Sequence, residues 1–124
     1  MARARSLLAG KKVLIVEDNY LIAEELRHLV QRAQGLVART VSSAAQALQA
    51  LADEQFDGVL LDVQLQDGSS IEVAKTLEQR GIPFVVVTGY GRDWLDPPLR
   101  TAPYLAKPYR ASRLMALAAR HFRG

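Results

Sequence analysis

The sequence predicts an α/β domain built from βα repeats on a parallel sheet. Short apolar runs alternate along the chain with longer segments of helical period, the pattern of strands joined by crossover helices. The runs at residues 13–16, 58–61 and 84–87 carry almost nothing polar, which suits strands covered on both faces. Acidic residues follow two of these runs directly, as Glu17-Asp18 and as Asp62. In an open parallel sheet, ligands collect at those carboxyl ends.

The elements follow in order. Residues 13–16 read as a first, central strand. Asn19 is placed to cap a helix whose apolar positions Ile22, Leu26, Leu29, Val30 and Ala33 recur at threes and fours, with Gly35 expected to end it. Residues 36–41 are more polar and predict a strand nearer an edge. Ser42 or Ser43 then caps a helix carrying Ala44, Ala47, Leu48 and Leu51. Residues 58–61 form the third strand. Ser69-Ser70-Ile71-Glu72 has capping-box spacing and predicts a helix stopped by Gly81.

The fourth strand covers residues 84–87. Gly89, Gly91, Pro97 and Pro98 then fall where a regular repeat would place its fourth helix. Paired prolines break helices, so a loop or one short turn is expected there. Residues 102–106 give a fifth strand and 112–122 a closing helix with Leu114, Leu117 and Ala118 inward. Residues 1–10 read as a mobile leader and 11–124 as one domain.

Composition narrows the function classes. A chain of 124 residues can bury a core without covalent staples. It has no cysteine, which excludes disulfides, thiolate metal sites and cysteine nucleophiles, and fits a reducing cytoplasm. No apolar run is long enough to span a bilayer. The net charge of +3 comes from scattered basic residues near both ends, without the basic runs or interleaved aromatics of a nucleic-acid face, and reads as a solvated surface.

The chemistry sits at the strand ends. Glu17, Asp18 and Asp62 would repel one another at one rim unless a cation joined them. Oxygen-only ligands in an open, hydrated setting suit magnesium. Thr88 ends the fourth strand and Lys107 the fifth, adding a hydroxyl and an ammonium to the same rim. Those are the donors that the equatorial oxygens of a phosphoryl group need. A carboxylate that attacks phosphorus gives an acyl phosphate.

The stretches Val-Leu-Ile-Val-Glu-Asp-Asn (13–19), Phe-Asp-Gly-Val-Leu-Leu-Asp (56–62), Asp67-Gly68, Val-Val-Thr-Gly (86–89) and Tyr-Leu-Ala-Lys-Pro (104–108) together resemble the receiver domain of two-component response regulators. The resemblance spans residues 12–122. It implies a flavodoxin-like three-layer (βα)5 fold with strand order 2-1-3-4-5 and a short or irregular fourth helix. It implies that Asp62 is the phosphoacceptor, that Asp18 binds Mg2+ directly and Glu17 through water, and that the Gln64 backbone carbonyl completes the ligands. Lys107 would contact the phosphoryl group, Thr88 would turn towards it, and Tyr104 would swing inward with Thr88. A cis Lys107-Pro108 bond is also implied. The donor would be a sensor histidine kinase or a phosphotransfer protein, and a downstream protein would read the surface near Gly89 to Tyr104.

Two departures stand out. No proline follows Asp62 in Val63-Gln64-Leu65-Gln66-Asp67-Gly68, and the segment 83–91 is similar to a signature of certain stand-alone receivers. Gln64 and Tyr90 occupy positions that influence dephosphorylation, and Trp94 could anchor a partner or cover the core's edge. Two other readings stay open. One is a receiver that acts as a protein-interaction module without phosphorylation. The other is a magnesium-dependent phosphatase, which would need a second acid where Gln64 stands.

Overall fold

Five parallel strands form the centre of the protein, in a computed structural model that describes residues 6–89 and 95–122. The chain order is β1 (Lys12–Val16), α1 (Tyr20–Arg32), β2 (Leu36–Val41), α2 (Ala44–Asp53), β3 (Gly58–Leu61), a hairpin of β4 (Gln64–Leu65) and β5 (Gly68–Ser69), α3 (Ile71–Gln79), β6 (Phe84–Thr88), β7 (Tyr104–Ala106) and α4 (Ala111–His121). The main sheet runs β2-β1-β3-β6-β7, every neighbouring pair parallel, which is the implied order 2-1-3-4-5.

Strand alternation divides the core between two faces. Leu14, Val16, Val59, Leu61, Phe84 and Val86 point towards α2 and α3. Val13, Ile15, Leu60, Val85, Val87 and Leu105 point towards α1 and α4. Burial on both sides explains why the central runs are apolar throughout. The edge strand β2 is partly exposed, in keeping with its polar residues.

Helix starts follow the side-chain caps in two cases. Asn19 Oδ1 accepts from the Ile22 amide at 3.1 Å, and Ser43 Oγ from the Gln46 amide at 3.1 Å. The expected capping box at Ser69 to Glu72 does not form. Ser70 takes the cap position without a side-chain bond, its buried hydroxyl without a partner among the described residues, while Ser69 Oγ accepts from the Ile71 amide. The β4–β5 hairpin ends at Ser69, directly before this cap.

Gly35 does not supply the left-handed residue after α1. Gln34 does, at φ 68°, and the Gly35 amide then reaches back to the Val30 carbonyl at 2.9 Å. Glycine is needed one place later for space, since a Cβ at Gly35 would lie 2.7 Å from Val30 Cγ1. Gly81, at φ 67°, ends α3 as expected. Leu48 lies on the exposed side of α2.

Within residues 6–10, the described part of the leader, Leu8 packs against α1. Leu8 is fully buried among Leu29, Val30 and Ala33, and its amide donates to the Ala33 carbonyl at 2.9 Å. Among the described residues no helix lies between β6 and β7. Turns at 97–101 take its place, with Leu95, Leu99 and Ala102 buried against the α2–α3 face. Tyr90 and Trp94 lie outside the described residues. Both Pro97-Pro98 and Lys107-Pro108 are cis. The fifth strand is shorter than residues 102–106, because Pro103 has no amide for the ladder and contributes only its carbonyl, 2.8 Å from the Val86 amide.

Gly58 opens the central strand β3 beneath the Phe122 ring, and a Cβ there would fall onto that ring. Gly58→Ala is therefore expected to destabilise the fold by about 1–3 kcal/mol through overpacking. A urea unfolding midpoint unchanged from wild type would contradict that packing.

Candidate phosphoacceptor site

The site forms where β1, β3, β6 and β7 end together at one rim. Glu17 and Asp18 follow directly after β1, which ends at Val16. Glu17 is buried and Asp18 is exposed. Asp62, immediately after β3, is buried, and its amide donates to the Val16 carbonyl at 2.9 Å, which locks it beside β1. Carboxylate oxygens of Glu17, Asp18 and Asp62 all lie within 4.8 Å of one another.

Lys107 reaches the same point from the end of β7. Its Nζ donates to Glu17 Oε1 at 3.0 Å and stands 3.6 Å from Asp62 Oδ2. The Glu17 and Asp62 side chains are only 1% and 9% exposed, against 22% for Lys107. Thr88 is fully buried at the end of β6, and its carbonyl accepts the Lys107 amide at 2.8 Å. Tyr104 begins β7, partly buried against the α2–α3 core. Gln64 lies in β4 opposite Ser69, with its side chain exposed. An open cleft of about 440 Å3 adjoins the acids, lined by Glu17, Asp18, Ser42, Gln46 and Gln66 among others.

Electrostatics mark the cluster as crowded with negative charge. Burial, followed by hydrogen bonding to and repulsion from Asp62, raises the Glu17 carboxyl from an ordinary 4.5 to about 7. The Asn19 amide and Lys107 oppose this only in part. Among the described residues, one ammonium stands against three carboxylates. The donor set is all oxygen and one of its members is solvent-exposed, so the residues fit a hard divalent cation such as magnesium.

A pH dependence follows. A raised carboxyl keeps its proton in the folded state over a range where the unfolded chain has released it. Metal-free stability should therefore fall as pH rises from about 4.5 to about 7, on the order of 1–3 kcal/mol, and then level off. The Glu54 and Asp67 carboxyls are held low by their partners and act below that window. Denaturant midpoints across pH 5 to 8 should show the decline, and Glu17→Gln should remove most of it. A flat profile in the wild type would contradict the assignment.

Sequence reasoning placed Glu17, Asp18, Asp62, Thr88 and Lys107 at this rim; the structure clusters the side chains of Glu17, Asp18, Asp62 and Lys107 there, with Thr88 joined to Lys107 through its backbone carbonyl. It missed two supports. The Val63 amide donates to Asp62 Oδ1 at 2.8 Å, fixing the carboxylate's rotation. The Asp67 carboxylate bonds the start of α2 across a gap of more than twenty residues, a contact that no local pattern announces.

A sequence model of the response regulator receiver domain matches residues 13–119. The chain belongs to that family. It is 32% identical over 112 residues to the polar-differentiation response regulator DivK of Brucella ovis, covering 85% of this chain and 90% of that one. Among solved structures, SdrG from Sphingomonas melonis Fr1 is 39% identical with a TM-score of 0.75, covering 92% of this receiver and 97% of that chain. The receiver domain of Erythrobacter litoralis PhyR is 33% identical with a TM-score of 0.79, covering 90% of this chain and 89% of its own. The fold is that of a receiver, and receivers are signalling modules rather than metabolic enzymes. Among the described residues, no helix is long and apolar enough to cross a membrane.

Proposed function

We propose that this receiver accepts a phosphoryl group on Asp62 from a phosphohistidine donor, a sensor histidine kinase or a phosphotransfer protein, in the cytoplasm. The observation that carries the reading is the convergence of Glu17, Asp18 and Asp62 with Lys107 at one strand-end rim. Asp18, Asp62 and the Gln64 carbonyl would hold magnesium, with Glu17 acting through water. When bound, the ion offsets carboxylate charge and polarises the incoming phosphoryl group.

The chain's own groups then act as follows. The Val63 amide holds one Asp62 oxygen, so the other, on the Lys107 side, is presented as nucleophile. That oxygen bonds to phosphorus while the phosphorus–nitrogen bond of the donor breaks and the imidazole leaves. Lys107 exchanges its bond to Glu17 for one to a phosphoryl oxygen, supplying charge where it develops. The Thr88 hydroxyl turns to a second oxygen. Tyr104 follows inward, and the surface from Gly89 to Tyr104 presents a different face to a protein partner. The same groups position water for hydrolysis of the acyl phosphate, so the domain promotes its own dephosphorylation.

Amide chemical shifts recorded with magnesium and beryllium fluoride test this. Large shifts at Asp62, Thr88 and Lys107 that need both additives are expected. Shifts absent, or independent of magnesium, would favour an interaction module that works without phosphorylation.

A further inference from the structure

We infer that Asp67 is a positioning residue for the magnesium site, clamping the hairpin that carries Gln64 to the start of α2. The inference rests on the reading of Gln64 as a carbonyl ligand.

The clamp uses donors that every helix leaves unpaired. The Ala44 amide donates to Asp67 Oδ1 at 2.8 Å and the Ala45 amide to Oδ2 at 3.1 Å. Ser43 Oγ takes the next amide, Gln46. A carboxylate from a separate loop thus sits at the positive end of α2, where charge and hydrogen bonding act together. Those two bonds also hold the Asp67 carboxyl below its usual range.

The clamp bears on the metal side of the molecule. Residues 64–69 form a tight antiparallel hairpin with Gln64 opposite Ser69 and Gly68 at φ 121°. At its base the Ser70 amide donates to the Val63 carbonyl, one residue beyond Asp62. Near its tip the Gln66 amide donates to the Ser42 carbonyl at 3.2 Å, and Ser42 Oγ donates to Gln66 Oε1 at 3.2 Å. Ser42 follows Val41, whose carbonyl accepts the Glu17 amide at 2.9 Å. The hairpin is therefore braced, through Asp67 and Gln66, against the part of the chain that positions Glu17 and Asp18. Ser42, Gln46 and Gln66 line the same cleft as the two acids. Without the Asp67 bonds, the hairpin keeps the Gln66 backbone bond, the burial of Leu65 in the core and exposed side-chain contacts, with no described hydrogen bond from its turn to the first amides of α2. The distance from Gln64 to the acids then becomes variable.

Magnesium affinity of the wild type, Asp67→Ala, Asp67→Asn and Ser43→Ala, measured by amide-shift titration alongside thermal melts, tests this. Asp67→Ala should weaken magnesium about ten-fold, the scale of losing a group that orients a metal ligand. Asp67→Asn keeps one acceptor oxygen, preserves the fold, and should fall between. Ser43→Ala removes a cap from the same helix without touching the hairpin, so it should lower the melting temperature yet leave affinity within about two-fold of wild type. Unchanged affinity in both Asp67 variants, or equal weakening in Ser43→Ala, would make Asp67 a helix cap only and overturn the inference. If the wild type itself binds no magnesium, the functional reading fails first and this inference falls with it.

Discussion

Asp62→Asn is expected to abolish magnesium-dependent phosphoryl uptake from acetyl phosphate, a loss of more than about 100-fold, while the fold survives. The amide oxygen can still accept the Val63 amide that holds Asp62 Oδ1, so the local backbone has no reason to move. The amide nitrogen cannot attack phosphorus as a carboxylate oxygen does. Loss of the negative charge beside Glu17 removes two of the causes that raise its carboxyl, so the metal-free stability profile should also flatten. Phosphate incorporation at the wild-type rate would mean that another carboxylate is the acceptor.

Lys107→Ala should slow phosphoryl uptake by about 100- to 1,000-fold, the range for removing one donor aimed at developing charge. It carries a second effect with a defined sign. Lys107 lowers the Glu17 carboxyl by a hydrogen bond and stands 3.6 Å from Asp62. Without it, the buried acids lose their only described cation partner. Glu17 should then take up a proton at higher pH than in the wild type, and metal-free stability should drop more at pH 8 than at pH 5. Rates with saturating acetyl phosphate and unfolding midpoints at both pH values separate the two effects. A variant with wild-type rate would remove Lys107 from the chemistry.

Much of the architecture was legible because it rests on short-range regularities. Runs such as Val13 to Val16 and Phe84 to Val87 are apolar on both faces only because helices cover both sides of the sheet. An acid that follows such a run must lie at the rim, so the sequence pattern already groups Glu17, Asp18 and Asp62. What escaped depends on partners distant in sequence. The capping-box spacing at Ser69 to Glu72 is sound locally, yet the hairpin of residues 64–69 overrides it. Leu8 reads as part of a loose leader until Ala33 offers its carbonyl and α1 its apolar side. Gly35 carries the signature of a helix stop, but its smallness serves the approach of Val30 and Leu8. The different environments of Glu17 and Asp18 were equally hidden, since adjacent acids look alike until the fold buries one and exposes the other.

The most direct measurement is the site of the acyl phosphate itself. Protein treated with acetyl phosphate and magnesium, then with borohydride, converts a phosphorylated aspartate to homoserine, which peptide mass spectrometry locates. Homoserine at position 62, dependent on both reagents, is the predicted result. Homoserine at position 18 or 67, or at none, would contradict the account.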